Sequence, residues 1–261
     1  MTTFVQISGG RTSGMMAHQL KDIPDTVFMF QNTGREKPET YEFLNRMDKE
    51  WGLELVWLEY ECPNPGQKAT VKEVSFETAN RDGIPFSQLI TKRKAIPNKF
   101  KRFCSPELKT KTARRWIRAQ GFKKWDYAIG YRADEPKRKV RSDTMQNAIT
   151  PLRELGITAL DVAEFWKNNS FDLELPIMPN GKTFGGNCEG CFWHSEYQNA
   201  VLCRDRPESV KWLIDQEERI GYTFNDGFSY KELTDLAKDS AKNYFSQEDF
   251  FCTAVNGSCG A

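Results

Sequence analysis

The chain has 261 residues, 39% of them hydrophobic and 28% charged, with a formal net charge of +1. That is enough for one large domain with a filled core, or a domain with an appendage. It contains no internal repeat, no low-complexity segment and no run near the ~18–20 apolar residues of a membrane span. The first residues turn polar too early for a signal peptide, so a cytoplasmic protein is expected. Seven cysteines then point to metal ligands or reactive thiols rather than a disulfide framework, and two histidines leave little room for imidazole chemistry.

Phe4–Ile7 reads as a short strand and Thr12–Lys21 as a helix, with Met15, Met16, Ala17 and Leu20 at helical spacing. Between them, Ser8-Gly9-Gly10-Arg11-Thr12-Ser13 puts two glycines and three hydroxyls at a strand-to-helix corner. Such a corner offers free backbone N–H groups and the positive end of a helix dipole, a setting for an anion. Thr26–Gln31 is an apolar strand. Lys37–Trp51 is a helix with Pro38 in its first turn, Glu39 beside the positive dipole end, and Gly52 as its stop. Leu53–Tyr60 is a third strand and Cys62–Gly66 a loop. Pro106–Gln120 is a basic helix, and Trp125–Gly130 a further strand. From Pro151 onward the signals are helical, except around Gly181–Cys191. A boundary near residue 150 divides an α/β domain, 1–150, from a mostly helical region, 151–261.

Strand and helix signals that alternate predict a parallel α/β sheet, with ligands at the carboxyl ends of its strands. Three loops fall there: Ser8–Ser13, Asn32–Glu36 and Tyr131–Arg141. Charge is uneven along the chain. Thr91–Lys124 holds thirteen Lys and Arg against one acid, Glu107, a local charge of +12. A solvated basic face and a wall for a triphosphate or a nucleic-acid backbone both fit.

Cys188 and Cys191 form a Cys-x-x-Cys pair with metal-site spacing. Cys104 stands just ahead of the basic helix, whose N-terminus favours a thiolate. A [4Fe–4S] cluster on Cys104, Cys188 and Cys191 is one reading, a structural Zn²⁺ with a fourth cysteine the second, and a redox pair the third. Cys252 or Cys259 supplies the fourth ligand, or one iron stays open. Cys203 reads as a core cysteine and Cys62 has no assigned role. His194 belongs beside the pair or on the surface, and His18 on a helix face.

The corner Ser8–Ser13 lacks the P-loop pattern and resembles the pyrophosphate loop of the PP-loop ATP pyrophosphatases. Phe28–Thr40 (FMFQNTGREKPET) resembles the "DTG…PET" segment of the phosphoadenosine phosphosulfate (PAPS) reductases, with Asn32 in place of the usual Asp. Arg102–Lys109 (RFCSPELK) resembles the Cys-Cys-x-x-x-Lys element of the adenylylsulfate reductases, with Ser105 where their second cysteine stands. Ile129–Glu135 is similar to that family's "G-x-R-x-x-E" strand end, which arginines follow. Pro151–Trp166 resembles its "P…W-T…D-V" helix, and Gly185–Cys191 its Gly-Cys-x-x-Cys. The resemblance runs in order from residue 4 to about 195 and is strongest to phage-encoded members of the PAPS reductase family.

This resemblance implies a Rossmann-like parallel sheet that binds an adenine nucleotide. Ser8, Gly9, Gly10, Arg11, Thr12 and Ser13 would hold the phosphates of ATP with Mg²⁺. Asn32, Thr33 and Gly34 would lie under the base and ribose, with Arg132, Arg138 and Arg141 near the reacting end and Lys109 among the nucleotide-binding residues. It implies an Fe–S-dependent sulfurtransferase that adenylates and thiolates an acceptor. Its partners would be a sulfur-donor protein and a nucleic acid bound along residues 91–124. Two alternatives stay open: a sulfonucleotide reductase in which Cys259 attacks the sulfate sulfur and sulfite leaves, and a nucleotide-binding subunit without chemistry. The intact loop favours ATP.

Overall fold

The structure is a computed structural model that describes residues 1–140 and 147–238. Parallel strands covered on both faces have to be apolar throughout. β1 (Thr3–Ile7), β2 (Thr26–Asn32) and β3 (Val56–Glu61) meet that demand along most of their length and pair in parallel. β4 (Thr70–Val74) adds antiparallel to β3, while β5 (Asp126–Ala128) and β6 (Ala148–Ile149) add in parallel beyond β1. The order is β4-β3-β2-β1-β5-β6. The chain steps outward from β1 to β4, then returns to lay β5 against the other side of β1. The strand order therefore reverses between β1 and β5, and at such a reversal the loops part and open a crevice.

Alternate residues of each strand serve opposite faces. Val5, Ile7, Phe28, Phe30 and Trp57 share a core with α1 (Arg11–Leu20), α2 (Pro38–Trp51) and α6 (Ala159–Lys167). Phe4, Met29, Leu58, Tyr127 and Ile129 share the opposite core with Ala113 and Ile117 of α4 (Lys111–Ala119). A further cluster joins Ile90 of α3 (Ile84–Arg93) to α7 (Glu196–Asp205), α8 (Pro207–Ile220) and α9 (Tyr230–Lys238). The four-residue α5 (Pro151–Glu154) follows β6.

The expected elements recur with shifted bounds. The third strand begins at Val56 because Glu54 holds φ at +50°, outside the extended region. The basic helix is two pieces, a π-helical turn over Ser105–Thr110 and then α4. Residues 168–195 carry no helix, a wider break than expected. β4, α3 and β6 had no counterpart in the sequence reading. β4 is a short edge strand with charged Lys72 and Glu73, the composition by which edges avoid further pairing.

Trp166 of α6 is 1% exposed and fills the space that Gly14 of α1 leaves open. A Cβ on Gly14 would stand 2.6 Å from its ring. Its indole N–H donates to the Arg11 carbonyl at 2.8 Å, and Phe43, Trp51 and Phe171 surround it. Trp166→Ala should cost about 3–5 kcal/mol, the usual range for removing a buried tryptophan. Urea unfolding should show the loss as a lower midpoint, with the slope little changed.

Candidate functional site

Four residues of the glycine loop are fixed from behind. Gly9 holds φ at +79°, and a Cβ there would lie 2.3 Å from Thr40 of α2. Gly10 caps α1 in an extended conformation against the Asn187 side chain, which donates to the Ser8 carbonyl at 2.9 Å. Ser13 Oγ donates to the Gly10 carbonyl at 2.9 Å and accepts the Ser8 N–H at 3.0 Å; the Ser8 hydroxyl lies 3.1 Å from it. The N–H groups of Arg11, Thr12 and Ser13 belong to the first turn, where no intrahelical acceptor exists. No acidic residue or side-chain cap offsets the positive end of α1.

Arg11 does not join this set through its side chain. Its guanidinium forks onto Asp172 at 2.7 Å on both oxygens, meets Thr183 Oγ1 at 3.0 Å, and donates to the carbonyls of Leu173 and Leu175. It ties the irregular 172–183 segment to the start of α1, and only its backbone N–H is left for the loop.

The second loop, Asn32–Glu36, is built on two buried carboxylates. Asn32 is 0% exposed. Its amide donates to Glu59 Oε1 and to the Asn80 carbonyl at 2.7 Å each, while its oxygen accepts from the Gly34 N–H at 3.0 Å and the Tyr41 hydroxyl at 2.9 Å. All four of its hydrogen-bonding positions are taken, so Asn32 supports the loop rather than reaching a ligand. This also accounts for asparagine in place of aspartate: only a donor can face Glu59. Glu36 accepts from the Thr33 N–H at 3.0 Å and its hydroxyl at 2.9 Å, and stands 3.9 Å from Lys109 Nζ. Burial and the charge of Glu36 hold the Tyr41 phenol proton well above its usual range. Arg35 leaves the loop to meet Ser209 and lie 4.6 Å over the Trp212 ring, fixing the loop to α8.

The third loop follows β5. Gly130 lies beside the backbone of Ser13, where a Cβ would make an ordinary van der Waals contact at 3.5 Å. Arg132 reaches back to Thr12, its Nη1 donating to Oγ1 at 3.2 Å, while Asp134 holds its Nε at 2.8 Å. Arg138 pairs with Glu135 at 3.2 Å and lies 4.2 Å over Tyr131. The fold thus brings the first and third loops together at the reversal point. Lys109 arrives at the second loop from the π-helical turn. Arg141 lies outside the described residues.

The cysteines behave differently. The Cys188 thiol donates toward Glu36 Oε1 at 3.9 Å, and its backbone bridges Glu36. Burial pushes the Cys104 thiol up, outweighing Lys109 and Arg102, so the environment does not favour the thiolate that the nearby helix start suggested. Cys203 sits in the α7–α9 core, and the buried Cys62 thiol faces the Asn64 carbonyl at 3.4 Å with Lys92 Nζ at 3.5 Å. Among the described residues, no three His, Cys, Asp or Glu side chains gather as a metal site. Cys252 and Cys259 lie outside the described residues. The described residues alone do not complete a ligand set for a cluster or for zinc.

Glu36, Glu59, Tyr41 and Asn187 went unread in the sequence. Spacing alone does not mark them: Glu59 sits in an apolar strand and Asn187 in a glycine-rich turn. His194 is buried, and its Nε2 has no partner among the described residues.

Asn32→Asp tests the second loop. Two carboxylates at this distance share a raised pKa, so the folded form of the variant binds protons more tightly than its unfolded chain. Its stability should fall as pH rises from about 5 to 7, relative to the parent, in thermal melts across that range.

No protein-family model matches the chain. Over 255 residues it is 29% identical to the uncharacterized nin region protein ORF290 of Escherichia phage lambda, a match covering 93% of this chain and 79% of that protein. Among solved structures it is similar to the phosphoadenylyl-sulfate (PAPS) reductase from Candida auris in its phosphate complex. That likeness covers 66% of this chain and 74% of the other, at 14% identity and a TM-score of 0.44.

Proposed function

We propose that the crevice between β1 and β5 binds an adenine nucleotide by its phosphates and that the protein is an ATP pyrophosphatase-type sulfurtransferase. One observation carries the reading: the uncapped, acid-free start of α1 opens at the reversal point of the sheet, with Arg132 bonded to Thr12 beside it. The resemblance of Ser8–Ser13 to a pyrophosphate loop supports ATP as the nucleotide.

In this reading the first-turn N–H groups and the Ser8 hydroxyl hold the β- and γ-phosphates, with Ser13 holding the loop in shape through the Gly10 carbonyl and the Ser8 N–H, and Mg²⁺ arriving as part of the substrate. An acceptor oxygen attacks the α-phosphorus. The bond to the bridging oxygen breaks, pyrophosphate leaves with that electron pair, and the acceptor carries AMP. A sulfide equivalent released by a donor protein then attacks the activated carbon: the C–S bond forms, the C–O bond breaks, and AMP leaves with the former acceptor oxygen and its electron pair. Arg132 lies where it can stabilise charge on the phosphates, because its guanidinium is already oriented by Asp134 and Thr12. The intact loop favours this reaction over sulfite release from PAPS.

Replacing Ser8 and Ser13 together by alanine should weaken ATP binding tenfold or more in calorimetry. Unchanged affinity would show that the loop does not grip phosphate. Arg132→Ala should slow pyrophosphate release about 10²–10³-fold while ATP still binds. A wild-type protein that releases sulfite from PAPS and no pyrophosphate from ATP would instead establish the reductase reaction.

A further inference from the structure

The segment that supplies Lys109 begins with a feature that nucleotide binding does not use. Asn98 accepts the N–H groups of Phe100 at 3.0 Å and Lys101 at 2.9 Å, closing a tight turn. The Phe103 N–H donates to the Lys101 carbonyl at 3.1 Å and continues it. At the tip of this built turn Phe100 is 82% exposed, the most exposed large hydrophobic side chain among the described residues. Lys99, Lys101 and Arg102, its neighbours in the chain, are exposed, as is Lys94 at the end of α3. Arg102 lies 4.7 Å over the Trp193 ring.

No acid occurs between residues 91 and 106. The first one, Glu107, is buried and serves Arg93, Lys111 and Arg115 together. Lys92 is held by the carbonyls of Pro65 and Gln67. The charges next to Phe100 therefore have no counter-ion within their own segment. An aromatic ring held outward among cations is the combination that grips an unpaired base: the ring stacks on its face and the cations track the phosphates. A duplex offers no such face, since its bases already stack on one another. A membrane surface would ask for a wider apolar face, and from residue 91 to 124 Phe100 is the one large apolar side chain that stands exposed.

The geometry points to the Asn98–Phe103 turn as a platform for single-stranded nucleic acid, with Phe100 stacking on a base and Lys94, Lys99, Lys101 and Arg102 on the backbone. Its place in the chain gives it a purpose: the π-helical turn that follows carries Lys109 to Glu36 at the second loop of the crevice. The acceptor proposed above is then a strand delivered from this turn, and that last step rests on the reading of the crevice.

Fluorescence anisotropy with a labelled single strand of about 15 nucleotides, as DNA and as RNA, and a matched duplex, tests the platform without ATP. The full-length protein should bind the single strands in preference to the duplex, more weakly as salt rises. Phe100→Ala should weaken binding about tenfold at fixed salt and leave the salt slope unchanged. Lys99→Ala with Lys101→Ala should lower the slope by about 1.4, or ~0.7 for each lost phosphate contact on a single strand. Phe100 is exposed, so its variant should melt at the parental temperature. Equal affinity of Phe100→Ala and parent, tighter binding of the duplex, or displacement of the strand by anionic lipid vesicles would each overturn the platform. Strand binding that survives while ATP binding is absent would overturn the crevice reading and leave the platform standing.

Discussion

The second loop depends on paying for two carboxylates that lie out of water. Glu36 and Glu59 are both buried at the carboxyl ends of β2 and β3. A buried charge is tolerated only when hydrogen bonds and opposite charge replace its lost hydration. Thr33 and Lys109 do this for Glu36, and Asn32 and the Asn80 N–H do it for Glu59. Those partners come from β2, from the loop before α3 and from the π-helical turn, so compensating the charges also fixes three pieces of chain around one wall of the crevice.

A second set of constraints holds the other wall. Arg11 binds the 172–183 segment, Asn187 binds the glycine loop, and the Lys37 N–H donates to the Asn187 carbonyl at 3.0 Å. The irregular stretch between α6 and α7 therefore behaves as a strap across the starts of α1 and α2. Its backbone groups find partners in loops and side chains rather than in a helix or sheet, which satisfies the demand that buried polar groups be paired.

Much of this was legible in the sequence, for definite reasons. The strands β1 to β3 are apolar along most of their length and the glycine corner has an unusual density of small and hydroxylated residues, so both stand out. β4 and α3 do not, because one is a charged edge strand and the other starts from Gly83 and Pro85 without a side-chain cap. The side-chain partners of Arg11 and Asn32 are not legible in the sequence for a common reason. Motif position placed them at the loops, but where their side chains point is decided by Asp172 and Glu59, partners distant in sequence. Likewise the net positive surroundings of Cys104 suggested a thiolate, whereas its desolvation depends on packing that no local pattern displays.

The π-helical turn has a consequence of its own. Such a turn holds one residue more than the α-helix it interrupts, and each residue of an α-helix advances the facing direction by about 100°. A single-residue deletion between Ser105 and Thr110 could be absorbed by letting the turn relax into α4, at little cost to the sheet. Lys109 would then swing away from Glu36, and the basic segment before it would rotate as a body. The register of this one turn thus sets how the most cationic stretch of the chain is aimed, and it is a position where insertion or deletion would change specificity before it changed the fold.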